Sequence, residues 1–309
     1  MNTPTQYHGV DVSKSHLDLD GLDKPRRFPN TPEDCAALLA ALPPDAQLVC
    51  EATGGYERLL CAGAWAAARP ISVVGPNLVR AFARSQGTLA KTDRLDAALL
   101  TRYATERKPA AQAAPDEAQA RLREQVRARE YLLGLQREEQ NHREHLGGLP
   151  LLREQSDARL ESLAAQLAAL EAAIQAEVAA AKALSERAER VQELKGVGPV
   201  TAWTICADLP ELGRLERGQA AALCGLAPYA RDSGTCQGRR FIRHGRATLR
   251  RVLYMAAVTA SIHNPVLREF YQGLKKRGKP AKLALIAVAR RLIELLNLML
   301  KNPHFKLAA

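Results

Sequence analysis

The sequence predicts an α/β domain at the N-terminus, a long polar helical stretch, and a basic, mostly α-helical domain at the C-terminus. Three observations carry that prediction. Short apolar runs alternate with Ala-rich helical stretches up to about residue 75, leucines recur at heptad spacing around residues 160–174, and positive charge gathers beyond residue 191. With 309 residues the chain is long enough for two domains with their own cores.

Taken in order, Tyr7–Val12 and His16–Leu19 read as a hairpin, with further strands at Gln47–Cys50 and Ile71–Val74. Helical stretches fall between them at 33–42 and 56–68. Thr92 suits an N-cap, so Asp93 and Asp96 would occupy the first turns of a helix running on through Ala97-Ala98-Leu99-Leu100. Lys108 to Pro115, rich in Ala, Pro and Gln, reads as a linker. Gly147-Gly148-Leu149-Pro150 divides the polar helical region in two. Leu160, Leu163, Leu167, Leu170 and Ile174, spaced 3, 4, 3, 4, form the seam of a coiled coil that closes within the chain or between chains. In the segment Leu194-Lys195-Gly196-Val197-Gly198-Pro199, two glycines sit between helical segments, with Pro199 placed for a first helical turn. This resembles a helix-hairpin-helix element, in which backbone N–H groups meet phosphates without reading sequence. A further helix is expected at about 247–262. The expected boundaries are 1–112, 113–190 and 191–309.

Composition narrows the function. Residues 191–309 hold 20 Lys and Arg against 7 Asp and Glu, a charge of +13, which leaves −2 of the chain's +11 for the first 190 residues. Basicity confined to one domain favours a polyanionic partner, nucleic acid first, because neutralised phosphates release condensed counterions. Six cysteines fall at irregular intervals with no C-x-x-C pair, so neither a zinc site nor a disulfide framework is expected. No basic start leads into an apolar stretch, and no continuous apolar run approaches the roughly 18 residues of a membrane span. A cytoplasmic protein with no membrane partner is expected.

Four acids carry the chemistry. Asp11 and Glu51 end apolar runs and would sit at strand edges, while Asp93 and Asp96 share a helix face at i and i+3. Converging on one pocket, they would hold two hard divalent cations for displacement at phosphorus. Further along, Arg231-Asp232-Ser233-Gly234-Thr235 and Gly238-Arg239-Arg240-Phe241-Ile242-Arg243-His244-Gly245-Arg246 form a stretch rich in glycine and arginine. Its Ser233 is a nucleophile if a base or metal removes its proton, and otherwise a turn residue. Lys195, Gly196, Gly198, Arg239, Arg240, Arg243 and Arg246 are the candidate nucleic-acid contacts.

Together, Gly9-Val10-Asp11-Val12-Ser13-Lys14, Glu51-Ala52-Thr53-Gly54-Gly55-Tyr56, Lys91-Thr92-Asp93-Arg94-Leu95-Asp96-Ala97, Leu194-Lys195-Gly196-Val197-Gly198 and Asp232-Ser233-Gly234 ahead of Gly245 and Leu249-Arg250 resemble, in order, the DEDD transposases of bacterial insertion sequences. The related Piv invertases and the recombinases guided by a bridge RNA belong to the same type. The resemblance spans nearly the whole chain. It implies an RNase H-like (RuvC-like) catalytic domain, a coiled coil, and a C-terminal domain bearing a serine nucleophile. Asp11, Glu51, Asp93 and Asp96 match the acidic tetrad that holds Mg2+, two ions per site, and Ser233 matches the nucleophile. It further implies DNA partners at element ends and target, a guide RNA, and a homo-oligomer, dimer or tetramer. The alternative is a metal-dependent nuclease or Holliday-junction resolvase in which water attacks phosphorus. A kinase-like ATPase lacks a later glycine-rich nucleotide loop, and a non-enzymatic DNA-binding coiled-coil protein leaves the acids unexplained.

Overall fold

The computed structural model describes residues 6–87, 93–229, 238 and 240–305. They divide into two compact units, 1–115 and 116–309.

The first unit is built on a mixed sheet in the order β3-β2-β1-β4-β5, formed by β1 (Tyr7–Val12), β2 (His16–Leu19), β3 (Arg26–Pro29), β4 (Gln47–Glu51) and β5 (Ile71–Val74). β2 runs antiparallel to β1 and to β3, whereas β4 runs parallel to β1 and to β5. Alternation along each strand sends side chains to opposite faces. Val10, Val12, Leu17, Leu19, Leu48 and Ile71 pack against α1 (Pro32–Ala40) and α2 (Arg58–Ala66). On the other face Val49 and Val74 meet α3 (Pro76–Ser85) and α4 (Asp93–Arg107), where Phe82 and Tyr103 stack edge to face at 5.5 Å. β3 escapes a reading by hydrophobic pattern because it is an exposed edge carrying two arginines and a proline. After α4 the chain is tied down. Gln112 donates its backbone N–H to the Ile71 carbonyl at 2.8 Å and its amide to that of Val73 at 3.0 Å, so the expected linker is anchored along the β5 edge as far as Gln112.

His8 on β1 is fully buried; its Nδ1 lies 3.2 Å from the Asp20 carbonyl, and its Nε2 is buried with no partner among the described residues. Burial lowers its pKa, so the folded state holds the ring neutral and the unfolded chain binds the proton more readily. Stability is therefore full above the ordinary histidine value of 6.5 and falls as the pH drops through it. Urea midpoints measured from about pH 7.5 to 5 are expected to decline in the wild type, and to decline less in His8→Gln, which cannot titrate. An equal slope in both proteins would put the effect elsewhere.

The second unit opens with a helical hairpin, α5 (Glu117–Glu144) and α6 (Pro150–Ala180), turned at the Gly-Gly-Leu-Pro segment. Arg121 pairs with Glu177 at 3.0 Å, Arg129 with Glu171 at 2.6 Å and Arg143 with Asp157 at 2.6 Å, which fixes an antiparallel register. Exposed pairs of this kind are each worth at most about 1 kcal/mol, so they specify alignment more than stability. Leu167 and Ile174 of the heptad seam are buried, while Leu160, Leu163 and Leu170 are half-covered. By length and composition α6 contains a stretch apolar enough to cross a bilayer, which corrects the expectation that none exists. Alanine together with leucine, isoleucine and valine supplies that hydropathy, and the ion-paired Glu171 and Glu177 of the same helix face a polar partner. The rest of the unit comprises α7 (Lys182–Gln192), α8 (Pro199–Asp208), α9 (Gln219–Leu223), the short strands β6 (Pro228–Tyr229) and β7 (Phe241–Ile242), then α10 (Ala247–His263), α11 (Pro265–Lys276) and α12 (Ala281–Lys301). Ile205, Leu209, Leu249, Leu253, Leu292 and Leu296, all fully buried, form its dry centre.

Candidate active site

Backbone pairing brings two of the four acids together. In β1 and β4, Tyr7 pairs with Gln47 and the register continues to Val10 and Cys50; Asp11 and Glu51 are the next residue of each strand. Both alternate with Gly9 and Val49, so they lie on the sheet face covered by α4. Gly9 makes that cover possible. Its N–H donates to Thr101 Oγ1 at 2.9 Å, and a Cβ there would stand 2.2 Å from the Ala97 carbonyl oxygen.

The direction of α4 follows from its far end. Gln47 Nε2 donates to the Pro109 carbonyl at 2.7 Å, so the C-terminus of α4 lies at the start of β4. The helix thus runs back along the strands, and its N-terminal turn, with Asp93 and Asp96, lies toward the end where Asp11 and Glu51 stand. Asp96 is half-buried, as are Asp11 and Glu51; the Asp93 side chain lies outside the described residues. Carboxylates on adjacent strand ends and at one helix N-terminus are a donor set suited to a hard divalent cation. Among the described residues, no three His, Cys, Asp or Glu side chains come close enough to hold a metal ion.

Three supporting residues were not legible as site residues in the sequence. Asp18 pairs directly across from Asp11, is buried, and accepts two bonds of 2.8 Å from Arg27. The sequence signal was a buried-side acid in an alternating strand, opposite an arginine in a strand that was itself not anticipated. Asn30 donates from Nδ2 to the Ser13 carbonyl at 2.9 Å and the Tyr56 carbonyl at 3.2 Å, which ties the loop after Asp11 to the loop after Glu51. Glu57 folds the second loop: Oε2 accepts from the N–H groups of Thr53 at 3.1 Å and Gly55 at 2.9 Å. Gly54 and Gly55 both have positive φ there, at 74° and 116°.

In the second unit, Ser233 and Arg239 lie outside the described residues, within the connection between β6 and β7. The base of that connection is fixed by Gly225 and Gly245, where a Cβ on Gly245 would come within 2.2 Å of the Gly225 nitrogen. Arg250 donates to the His244 carbonyl at 2.8 Å. Arg240 and Arg243 are exposed. Arg246 is engaged instead: it donates to both carboxylate oxygens of Glu211, at 3.0 and 2.7 Å, and to the Asp208 carbonyl at 2.6 Å. The bonds to Glu211 raise the Arg246 pKa. Burial alone would raise the Glu211 carboxyl, but the bonds from Arg246, a backbone hydrogen bond and the Arg123 charge together hold the group below its ordinary value.

Lys195 is exposed. Gly196 is required for packing, since at φ 109° a Cβ would stand 2.5 Å from that of Ala260 on α10. Gly198 has open space around it and caps α8.

A sheet with acids gathered at one end, followed by a basic helical unit, describes a class of chain that acts on nucleic acid, and comparison with known proteins agrees. A DEDD transposase model of the IS110 type matches residues 8–148, and a model described as "Transposase IS116/IS110/IS902 family" matches residues 188–272. The chain belongs to this transposase family. It is 26% identical to the pilin gene-inverting protein of Moraxella bovis over 80% of this chain and 77% of that one, and equally so to the Moraxella lacunata protein. An insertion element IS116 protein of Streptomyces clavuligerus is 37% identical over 38% of this chain and 30% of its own length.

Proposed function

We propose that the chain is a DNA transposase or site-specific recombinase that cuts and rejoins strands by metal-assisted serine transesterification, guided by an RNA encoded by its element. What supports the reading is the strand register that sets Asp11 and Glu51 at neighbouring strand ends, with α4 running back over the same face, a layout we read as RNase H-like (RuvC-like). Asp11, Glu51, Asp93 and Asp96 would hold divalent cations, Mg2+ in the cell, which supply Lewis acidity at the scissile phosphate and lower the pKa of the attacking group.

Ser233 Oγ forms a bond to phosphorus as the bond to one DNA oxygen breaks; the serine proton is lost and the departing oxygen leaves as a hydroxyl. The phosphodiester is conserved as a Ser233–DNA ester, and a DNA hydroxyl reverses the step on a new strand without ATP. Arg240 and Arg243, exposed beside the serine-bearing connection, bind the backbone and offset its charge. The helical hairpin serves, in this reading, as the coiled coil that pairs copies of the chain and brings serine and acids from different copies together. The reaction takes place in the cytoplasm, on element ends and target DNA.

The test is an adduct trap. Protein with its co-purified RNA, Mg2+ and DNA spanning the element junction is quenched in denaturant, wild type beside Ser233→Ala. A DNA-linked band in the wild type and its loss by at least about 10^3-fold in the variant is expected. Cleavage without an adduct that survives Ser233→Ala would make water the nucleophile. Full activity in protein freed of RNA would remove the guide from the proposal.

A further inference from the structure

The densest positive charge lies in neither the Leu194–Pro199 segment nor the serine-bearing connection. Between Phe270 and Ile293 the sequence has seven Lys and Arg and no Asp or Glu. Five of these, Lys275, Lys276, Arg277, Lys279 and Lys282, crowd the turn from α11 to α12, and all are exposed. The segment lies beyond residues 188–272, so the family match says nothing of it.

Two features separate this turn from an ordinary solvated surface. Several arginines elsewhere in the unit are engaged with partners, as in the α5–α6 pairs, the Arg290–Glu294 pair and Arg291 over the Phe270 ring at 4.9 Å. None of the five turn cations has an ion-pair partner among the described residues. Crowding them costs mutual repulsion that nothing within the described unit offsets. The backbone beneath them is also held in one shape. Gly278, at φ 75°, ends α11: its N–H donates to the Lys275 carbonyl at 2.9 Å and the Lys279 N–H to that of Leu274 at 3.1 Å. That is the paired bonding of a Schellman cap, and Pro280 starts α12 immediately afterwards. A rigid turn presents its cations at a smaller entropy cost than a loose tail.

We infer that the α11–α12 turn is a docking surface for the phosphodiester backbone of duplex DNA, gripped without sequence readout through Lys275, Lys276, Arg277, Lys279 and Lys282. This rests on the reading of the chain as one that acts on nucleic acid, and it adds a contact surface separate from the serine-bearing connection. Lysine and arginine at backbone phosphates raise affinity uniformly and steepen its dependence on salt.

The experiment compares full-length wild type with a variant in which all five are changed to Gln, using fluorescence anisotropy on a labelled DNA duplex and on a structured RNA, from about 50 to 300 mM salt. A third protein, Lys24→Gln, Arg26→Gln, Lys108→Gln, Arg137→Gln and Arg153→Gln, loses the same charge at exposed sites elsewhere. The slope of log affinity against log salt is expected to flatten by about one for each cation that meets a phosphate, roughly three or more in all. Affinity at about 100 mM salt falls by about 10-fold or more, while the third protein stays near wild type. The change is expected on the DNA duplex; a change confined to the RNA would overturn the assignment to DNA. Equal slopes for wild type and turn variant on both probes, or equal losses in the turn variant and the third protein, would overturn the inference. Failure of the wild type to bind either probe would instead bring down the nucleic-acid reading as a whole. The replaced side chains are exposed and their mutual repulsion is relieved, so a thermal midpoint level with or above that of the wild type confirms that folding is intact.

Discussion

Gly9→Ala is expected to abolish DNA cleavage and to lower the melting temperature of the chain by roughly 10 °C or more, from a loss of about 3 kcal/mol. The added methyl would stand 2.2 Å from the Ala97 carbonyl oxygen, 2.7 Å from the Thr101 nitrogen and 2.8 Å from Leu100 Cβ. The two nearest atoms are backbone, so no rotamer change relieves the clash and α4 must move off β1. That displacement also stretches the 2.9 Å bond from the Gly9 N–H to Thr101 Oγ1, leaving a buried donor poorly satisfied. Since α4 carries Asp93 and Asp96, the same displacement takes half of the acidic set away from Asp11 and Glu51. Circular dichroism melts and the adduct trap, run on Gly9→Ala alone and combined with Leu100→Gly, which removes the Cβ in contact, separate this account from a simple volume effect. Trimming Leu100 leaves both backbone contacts in place and should not restore either signal. Recovery in the double variant would show that side-chain crowding, not the helix backbone, sets the requirement for glycine.

The glycine illustrates what a sequence read residue by residue conveys. Asp11, Glu51 and the Asp93/Asp96 pair stand out because an acid closing an apolar run is rare enough to notice, and β1, β2, β4 and β5 follow from period-two patterning with little error. The parallel pairing of β1 with β4 leaves no local trace, because it depends on strands separated by a helix. Nor does the run of α4 against the strands, which shows only in the bond between Gln47 and Pro109. Arg246 and Gly196 mark the opposite failure. Both sit in motifs that favour phosphate contact, yet Arg246 forms a bidentate pair with Glu211 and Gly196 makes room for Ala260. Charge and glycine content reveal that a residue is useful, while its neighbours in space decide for what. Asn30 was invisible because a single polar residue ahead of a Thr-Pro helix start reads as part of the cap, when its amide in fact joins two loops distant in sequence.

Asp11→Asn should separate function from stability. Strand cleavage is expected to fall by about 10^3-fold or more, since an amide of nearly the same size lacks the charge that would hold the divalent cation on which the proposed cleavage depends. The melting temperature measured in chelator should stay level or rise. Asp11 stands directly opposite Asp18 and next in register to Glu51, and facing carboxylates on neighbouring strands cost roughly 0.2–1 kcal/mol that the substitution relieves. Asp11 is not without a partner, and the Asn side chain keeps one oxygen to accept from it. Added Mn2+ reverses the order: a cation that binds only the folded state stabilises it by mass action, so the wild-type midpoint climbs with concentration while that of Asp11→Asn stays flat. A wild-type midpoint indifferent to Mn2+ would remove the metal from the proposed site even if cleavage were lost. A variant destabilised by several kcal/mol in chelator would recast Asp11 as a structural residue, whatever its activity. On the proposed reading the acids are a load the sheet carries for chemistry, which a bound cation would relieve.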